Sequence, residues 1–421
     1  MTAENISYEL SGDTKKKPKV GLLLRIVIAI VLAVILGFFL PDWIARIFQT
    51  FNGLFSQFLG FLIPLIIVGL VTPAIGELGR GAGKWVGITA LIAYVSTLFA
   101  GFLALGVCWM LLPRLLSGVN VGPLANPEDS NLAPYFSIEI PATFGVMTAL
   151  VLSFCIGIGL TFIRKGTLQK AAVEFRTIIV RIIEKVIIPL LPIYIFGMFL
   201  SLTMNGQIWT VIGTFASVIV IVFVLTVVVL LVQYLIAGWA MHQNPFKMLW
   251  NMMPAYMTAL GTSSSAATIP VTLECTLKNR VPGPIAGFVV PLCATIHLAG
   301  STLKITSFAM AIMIITGQGI DLLPLIGFVF MLGVIMIAAP GVPGGAIMAA
   351  VGILQSMLGF DDVAVGLMIA SYIAIDSFGT ATNVTGDGAI AAIMARITKG
   401  KEFNVNTEEE GEAEAEAEAN A

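Results

Sequence analysis

Three polar residues near the C-terminal end stand out for what they could do. In Asp376-Ser377-Phe378-Gly379-Thr380-Ala381-Thr382-Asn383-Val384-Thr385-Gly386-Asp387, the amide lies seven and the second carboxylate eleven residues beyond Asp376. Those spacings put all three on one face of an α-helix. The flanking sequence is apolar enough to sit in a membrane, where ionisable groups cost several kcal/mol unless they line a cavity, an ion path or a solute site. Asp and Asn acting only as glue between helices is the plainer alternative, but two carboxylates beside an amide are more charge than packing needs. An aspartyl protease would need its carboxylates to share a proton. Eleven residues of helix separate these two by roughly 16 Å, so no enzyme is expected.

Two breaks in other apolar stretches carry matching chemistry. The first reads Gly261-Thr262-Ser263-Ser264-Ser265-Ala266-Ala267-Thr268-Ile269-Pro270. Hydroxyls and unpaired N–H groups at the start of a half-helix make a cradle for a carboxylate. The second reads Ala338-Ala339-Pro340-Gly341-Val342-Pro343-Gly344-Gly345-Ala346, where Pro and Gly interrupt the helix and free carbonyls that can coordinate a cation. Either could be an ordinary loop; their place between apolar stretches gives them meaning.

The elements that hold these residues are membrane helices. The 421-residue chain is 58% hydrophobic and 11% charged, with a mean hydropathy of +0.98, which excludes a soluble globule. From Val186 to Phe246 there is no Asp, Glu, Lys or Arg. Apolar segments at 20–40, 52–76, 86–113, 143–163, 177–203, 208–238, 284–315 and 363–395 read as eight transmembrane helices. Segments 248–276 and 322–356, interrupted at their middles, read as re-entrant helical hairpins, with two further full crossings as the alternative. The fold class expected is therefore all-α and polytopic. Residues 1–19 form an N-terminal segment, 20–398 the membrane domain, and 399–421 an acidic, low-complexity tail assigned no chemistry. The first apolar run is long enough to be retained as a span rather than cleaved as a signal peptide.

Lys15, Lys16, Lys17 and Lys19 precede the first span, Arg80 and Lys84 follow the second, and Arg164, Lys165, Lys170 and Arg176 follow the fourth, while opposite loops hold Arg46 and Arg114. The positive-inside rule then places both termini in the cytoplasm, in agreement with Lys278, Arg280, Lys399 and Lys401. The two hairpins enter from opposite sides, an inverted pair around a midplane site. Cys108, Cys155, Cys275 and Cys293 lack ligand spacing and read as buried small hydrophobes.

The Ser-rich first break ending in Thr268-Ile269-Pro270, the Gly341-Val342-Pro343-Gly344 of the second, and Asn383-Val384-Thr385-Gly386-Asp387 together resemble the dicarboxylate/amino acid:cation symporters, the glutamate-transporter family. The resemblance is specific over about 245–398. It implies a homotrimer in a cell membrane, with a scaffold from spans 1, 2, 4 and 5. Spans 3, 6, 7 and 8 and both hairpins would carry solute across as an elevator. It also implies solute contacts at Ser263, Ser265, Ser301, Val342, Asp376, Thr380 and Asn383, with Asp376 receiving an ammonium. One Na⁺ site would use the Asp387 carboxylate with backbone oxygens of Cys293, His297 and Asn383. A second would use carbonyls of Thr295 and of Met336, Ile337 and Ala339. No cofactor and no nucleic-acid partner is implied, only a small solute, lipid and a coupling ion.

Departures from the family narrow the expectation. Members that take acidic amino acids or C4-dicarboxylates carry an arginine where this chain has Gly379, so a small neutral amino acid such as serine, threonine, alanine or cysteine fits better. A second hairpin one residue shorter than in the archaeal aspartate transporters resembles the serine/threonine branch. The family's Asn-Met-Asp-Gly-Thr reads His297-Leu298-Ala299-Gly300-Ser301 here. The missing aspartate at Ala299 implies fewer coupled sodium ions. His297 either couples a proton in place of a sodium or is a neutral hydrogen-bonding residue. Lys304, on the same span, must pair with a carboxylate, snorkel, or meet a solute anion; paired, it would act as a built-in cation that replaces a transported ion and neutralises Asp376 or Asp387. Meeting a solute anion, it would stand in for the arginine and restore a dicarboxylate substrate. A channel is the reading from another class, since re-entrant hairpins also build filters. The absence of long outer domains fits a bacterial or archaeal plasma membrane.

Overall fold

The computed structural model describes residues 22–79, 84–116, 134–163 and 166–399. The acidic tail from 400 on, the N-terminal lysines, Arg80, Arg164, Lys165 and Lys401 lie outside them. Helices are the only regular elements among the described residues, as expected where no water is available to satisfy open backbone groups. The N-terminal half comprises α1 (Leu22–Leu36), α2 (Asp42–Gly79), α3 (Lys84–Leu115), α4 (Val146–Phe162), α5 (Thr167–Ile182), a π-turn at Ile183–Ile187, α6 (Ile188–Met204) and α7 (Ile208–Met241). The remainder is shorter pieces: α8 (Pro245–Asn251), α9 (Met253–Thr262), α10 (Ser265–Lys278), α11 (Gly283–Ile296), α12 (Ala299–Ile315), α13 (Leu322–Ala338), α14 (Gly345–Leu358), α15 (Asp362–Ala374) and α16 (Asp376–Thr398).

Among the described residues, five helical stretches are long and apolar enough to cross a bilayer: α2, α3, α5 through α6, α7, and α11 with α12. The pair α15 and α16 adds a sixth, bent by 61° at Ile375. α1, with 15 residues, and α4, with 17, are apolar but shorter than the ~20 residues of a straight crossing.

The two interrupted segments are helix–turn–helix units. α9 packs on α10 and α13 on α14. With 10, 14, 17 and 14 residues, none of the four reaches a full crossing. The α11–α12 stretch and the α15–α16 pair are also broken, at His297-Leu298 and at Ile375, although neither position carries Gly or Pro. No local residue signals these breaks; tertiary contacts hold them.

Packing falls into two groups. α2 lies against α4, α5 and α6, and α1 against α6. α12 packs on α3, α7, α15 and α16, while α16 is wedged among α7, α9, α10, α11 and α12. The groups meet where α2 touches α13 and α14, and where α15 touches α1 and α6. α12 and α16 are buried almost along their whole length despite Lys304, Asp376 and Asp387. Cys108, Cys275 and Cys293 are buried free thiols, but Cys155 departs from expectation and is exposed on α4.

Candidate functional site

The first hairpin tip is shaped by its own hydroxyls. α9 ends as Ser263 turns into the left-handed region, at φ 49°. Ser264 caps α10: its Oγ accepts from Ala267 N at 3.3 Å, the usual way a helix start is satisfied. The Oγ1 of Thr268 donates to Ser264 O at 2.8 Å and lies 3.2 Å from Thr262 Oγ1. Across the gap, Ser264 Oγ donates to Gly341 O at 3.3 Å, so the two tips touch.

The second tip, 339–344, has no side chain able to hydrogen-bond. Gly344 takes φ +75°, a conformation glycine adopts without steric cost. Its N–H donates to Asp376 Oδ2 at 2.9 Å. Asp376 occupies the first turn of α16, where helix N–H groups favour a carboxylate, and its Oδ1 lies 3.3 Å from Lys304 Nζ. Lys304 is 1% exposed. Its ammonium also donates to Ile375 O at 3.3 Å and Asp376 O at 3.4 Å, and sits 3.9 Å from the centre of the Tyr372 ring. Of the three fates open to Lys304, the structure takes pairing with a carboxylate.

Two turns further along α16, Asn383 Oδ1 accepts from Gly300 N at 2.8 Å and its Nδ2 donates to Ser301 Oγ at 3.3 Å. Tyr372 Oη donates to the same Ser301 Oγ at 2.9 Å. Gly300 is required here, because a Cβ would lie 2.6 Å from Gly379 O. Thr380 donates its hydroxyl to Asp376 O at 3.1 Å. Ser263 and Asp376 line one cavity of about 490 Å³ with Leu260, Thr262 and Pro343. Val342 is half-buried on the facing tip, whereas Ser265 is buried in the first turn of α10 and does not line that cavity.

Deeper along α16, Asp387 Oδ1 and His297 Nδ1 are 2.9 Å apart, both residues fully buried. The other ring nitrogen, Nε2, lies 3.1 Å from Ser96 Oγ, which also accepts from Gln233 Nε2 at 2.9 Å. Asp387 Oδ2 is buried with no hydrogen-bond partner. A buried carboxylate oxygen left open beside the broken helix at His297 suits a hard monovalent cation. Cys293 O already accepts from His297 N at 2.9 Å, which leaves it one lone pair. Thr295, Ile337 and Ala339 line a second cavity, of about 420 Å³, with Pro340 and Gly341. Met336 is buried behind that cavity and does not line it.

Sequence reasoning missed Ser96, Gln233, Tyr372, Ser264 and Gly344. Gln233, the one amide side chain in α7, was a readable signal. Tyr372 was not, because aromatics are ordinary in apolar spans. Among the described residues, no three His, Cys, Asp or Glu side chains converge on one point.

The family model for the sodium:dicarboxylate symporter family matches residues 22–397. The chain belongs to that family. It is a multi-pass membrane protein of a group that moves small dicarboxylate or amino acid solutes together with a cation.

Proposed function

We propose that this symporter carries a small neutral amino acid of the serine or threonine type with Na⁺, by alternating access, as a homotrimer in the cell membrane. The observation that carries the reading is the meeting of both hairpin tips over Asp376: Ser264 reaches Gly341, and Gly344 reaches the carboxylate. A solute held between the tips would place its carboxylate against the α10 N-terminus and the hydroxyls of Ser263 and Ser265. Its ammonium would go toward Asp376, and Ser301, Thr380 and Asn383 would form the floor. Gly379 in the arginine position leaves no side-chain cation on α16 for a second carboxylate. Lys304 does not supply one in this conformation, since its donors are engaged by Ile375 O, Asp376 O and Asp376 Oδ1. That engagement favours the neutral amino acid over a dicarboxylate clamped by Lys304.

Sodium would be carried at the open oxygen of Asp387 with carbonyls near His297 and Asn383. A second ion would sit by Thr295 and the carbonyls of Ile337 and Ala339, with Met336 shaping the end of α13. The opening and resealing of the tips around a saturable site distinguishes this carrier from a channel.

The test is uptake into proteoliposomes of purified protein, with serine, threonine, alanine, aspartate, succinate and malate under an imposed Na⁺ gradient and separately under a pH gradient. Saturable, sodium-driven serine or threonine uptake is the expected result. Succinate or malate uptake would overturn the neutral amino acid reading, and uptake driven only by the pH gradient would overturn sodium coupling.

A further inference from the structure

The pairing of Lys304 with Asp376 bears on how the carrier returns once its solute has left. Tip 2 docks on Asp376 through Gly344 N, so every closure of this hairpin buries that carboxylate. A buried charge is tolerated only when it is paired and hydrogen-bonded. With an amino acid bound, the solute's ammonium supplies the partner. With the site empty, a bare carboxylate would hold the hairpin open or demand a cation from solution.

Lys304 answers that demand from inside the protein. Its three N–H groups meet three oxygens, two backbone carbonyls and Asp376 Oδ1, over the face of Tyr372. The ammonium has room there because residue 379 is glycine: a Cβ at that position would collide with Cε and Nζ of Lys304. Gly379 and Lys304 are thus two halves of one arrangement, in which α12 delivers the positive charge to a place that a side chain on α16 would otherwise fill. The two oxygens of Asp376 then do separate work, Oδ1 on Lys304 and Oδ2 on the hairpin.

We infer that Lys304 is a resident counter-cation that neutralises Asp376 in the empty site. Tip 2 can then close without solute, and the carrier returns empty without a counter-transported cation. This rests on the amino acid reading above. Lys304 is a positioning residue in this role: it touches Asp376 and not the solute.

The experiment compares two modes of labelled serine flux in proteoliposomes, zero-trans net uptake and exchange against internal serine. Labelled succinate is run in parallel. Net uptake needs the empty return and exchange does not. For Lys304→Met, net uptake is expected to fall about tenfold or more while exchange stays within about twofold of wild type, because an unpaired buried carboxylate is strongly unfavourable only in the empty state. Gly379→Ala retains both charges and pushes the ammonium aside, and should shift the ratio the same way; it provides the reading if Lys304→Met does not fold. Equal changes in both modes, or none, would overturn the resident-cation role while leaving serine transport intact. Wild type carrying succinate and not serine, with both modes lost in Lys304→Met, would sink the amino acid reading as well and make the ammonium a solute-holding group.

Discussion

The two hairpin tips face each other and are built on opposite principles. Tip 1 carries its own hydrogen-bonding groups: Ser264 caps α10, Thr268 bonds back to Ser264 O, and Thr262 closes on Thr268. Tip 2 is a run of Ala, Pro, Gly and Val whose side chains cannot hydrogen-bond, and its internal bond is a backbone turn, Gly345 N to Val342 O at 2.9 Å. Its other polar anchors are backbone groups held from outside, Gly344 N on Asp376 and Gly341 O on Ser264. A segment satisfied internally keeps its shape whether or not its neighbour is in place. One anchored to its surroundings by partner groups loses those hydrogen bonds on separating and gains water instead, the signature of an element that opens at low cost. Tip 2 is therefore the element expected to move, and tip 1 the wall it closes against.

The sharpest way to break this contrast is Asp376→Ala. It removes the dock of tip 2 and strands Lys304 in the interior, a loss of about 3–5 kcal/mol for an orphaned buried charge. Solute uptake should vanish. Amide exchange of residues 338–346 should quicken far more than that of 260–267, and equal acceleration at both tips would contradict the asymmetry.

Gly344→Ala comes next. The added Cβ meets only Ile373 at 3.7 Å and longer, so space is not the obstacle. The cost is the left-handed backbone, about 1–2 kcal/mol, and it should appear as slower uptake, a less protected tip 2 and a loss of that size in thermal unfolding. Ser264→Ala removes both the α10 cap and the bond to Gly341. A loss of about 0.5–2 kcal/mol is expected in thermal unfolding, with both tips exchanging faster, since this hydroxyl bridges them. Thr262→Val should be the mildest. It gives up the contacts to Thr268 and Ser264 within tip 1 for less than about 1 kcal/mol, and leaves tip 2 protection at the wild-type level.

How far the chain could be read in advance varies from residue to residue. The stripe Asp376, Asn383, Asp387 was legible because helical periodicity alone puts those residues on one face, and α16 begins at Asp376 and runs through all three. Both hairpin tips were legible from Ser, Pro and Gly clusters inside apolar runs. The breaks at His297-Leu298 and Ile375 were not, since the residues there are ordinary helix or strand formers and the unwinding depends on what packs around them. The focus on Ser263 and Ser265 passed over Ser264, whose hydroxyl caps the helix and bridges the tips. Which of three adjacent serines points where is decided by the φ of one of them, Ser263.

From composition, periodicity and punctuation alone, this chain was bound to be a bundle of membrane helices with two interrupted pairs and a polar face on its last helix. Those properties come from each residue's own solvation and backbone preference, and they survive whatever the neighbours do. Tertiary structure decided who meets whom. Ser96 on α3, Gln233 on α7, His297 at the α11 break and Asp387 on α16 come from four distant parts of the chain into one hydrogen-bonded row. Lys304 finds Asp376 because Gly379 leaves a space of the right size. Such contacts depend on helix crossing and on side-chain volume at close approach, and neither is a property of any single stretch of sequence.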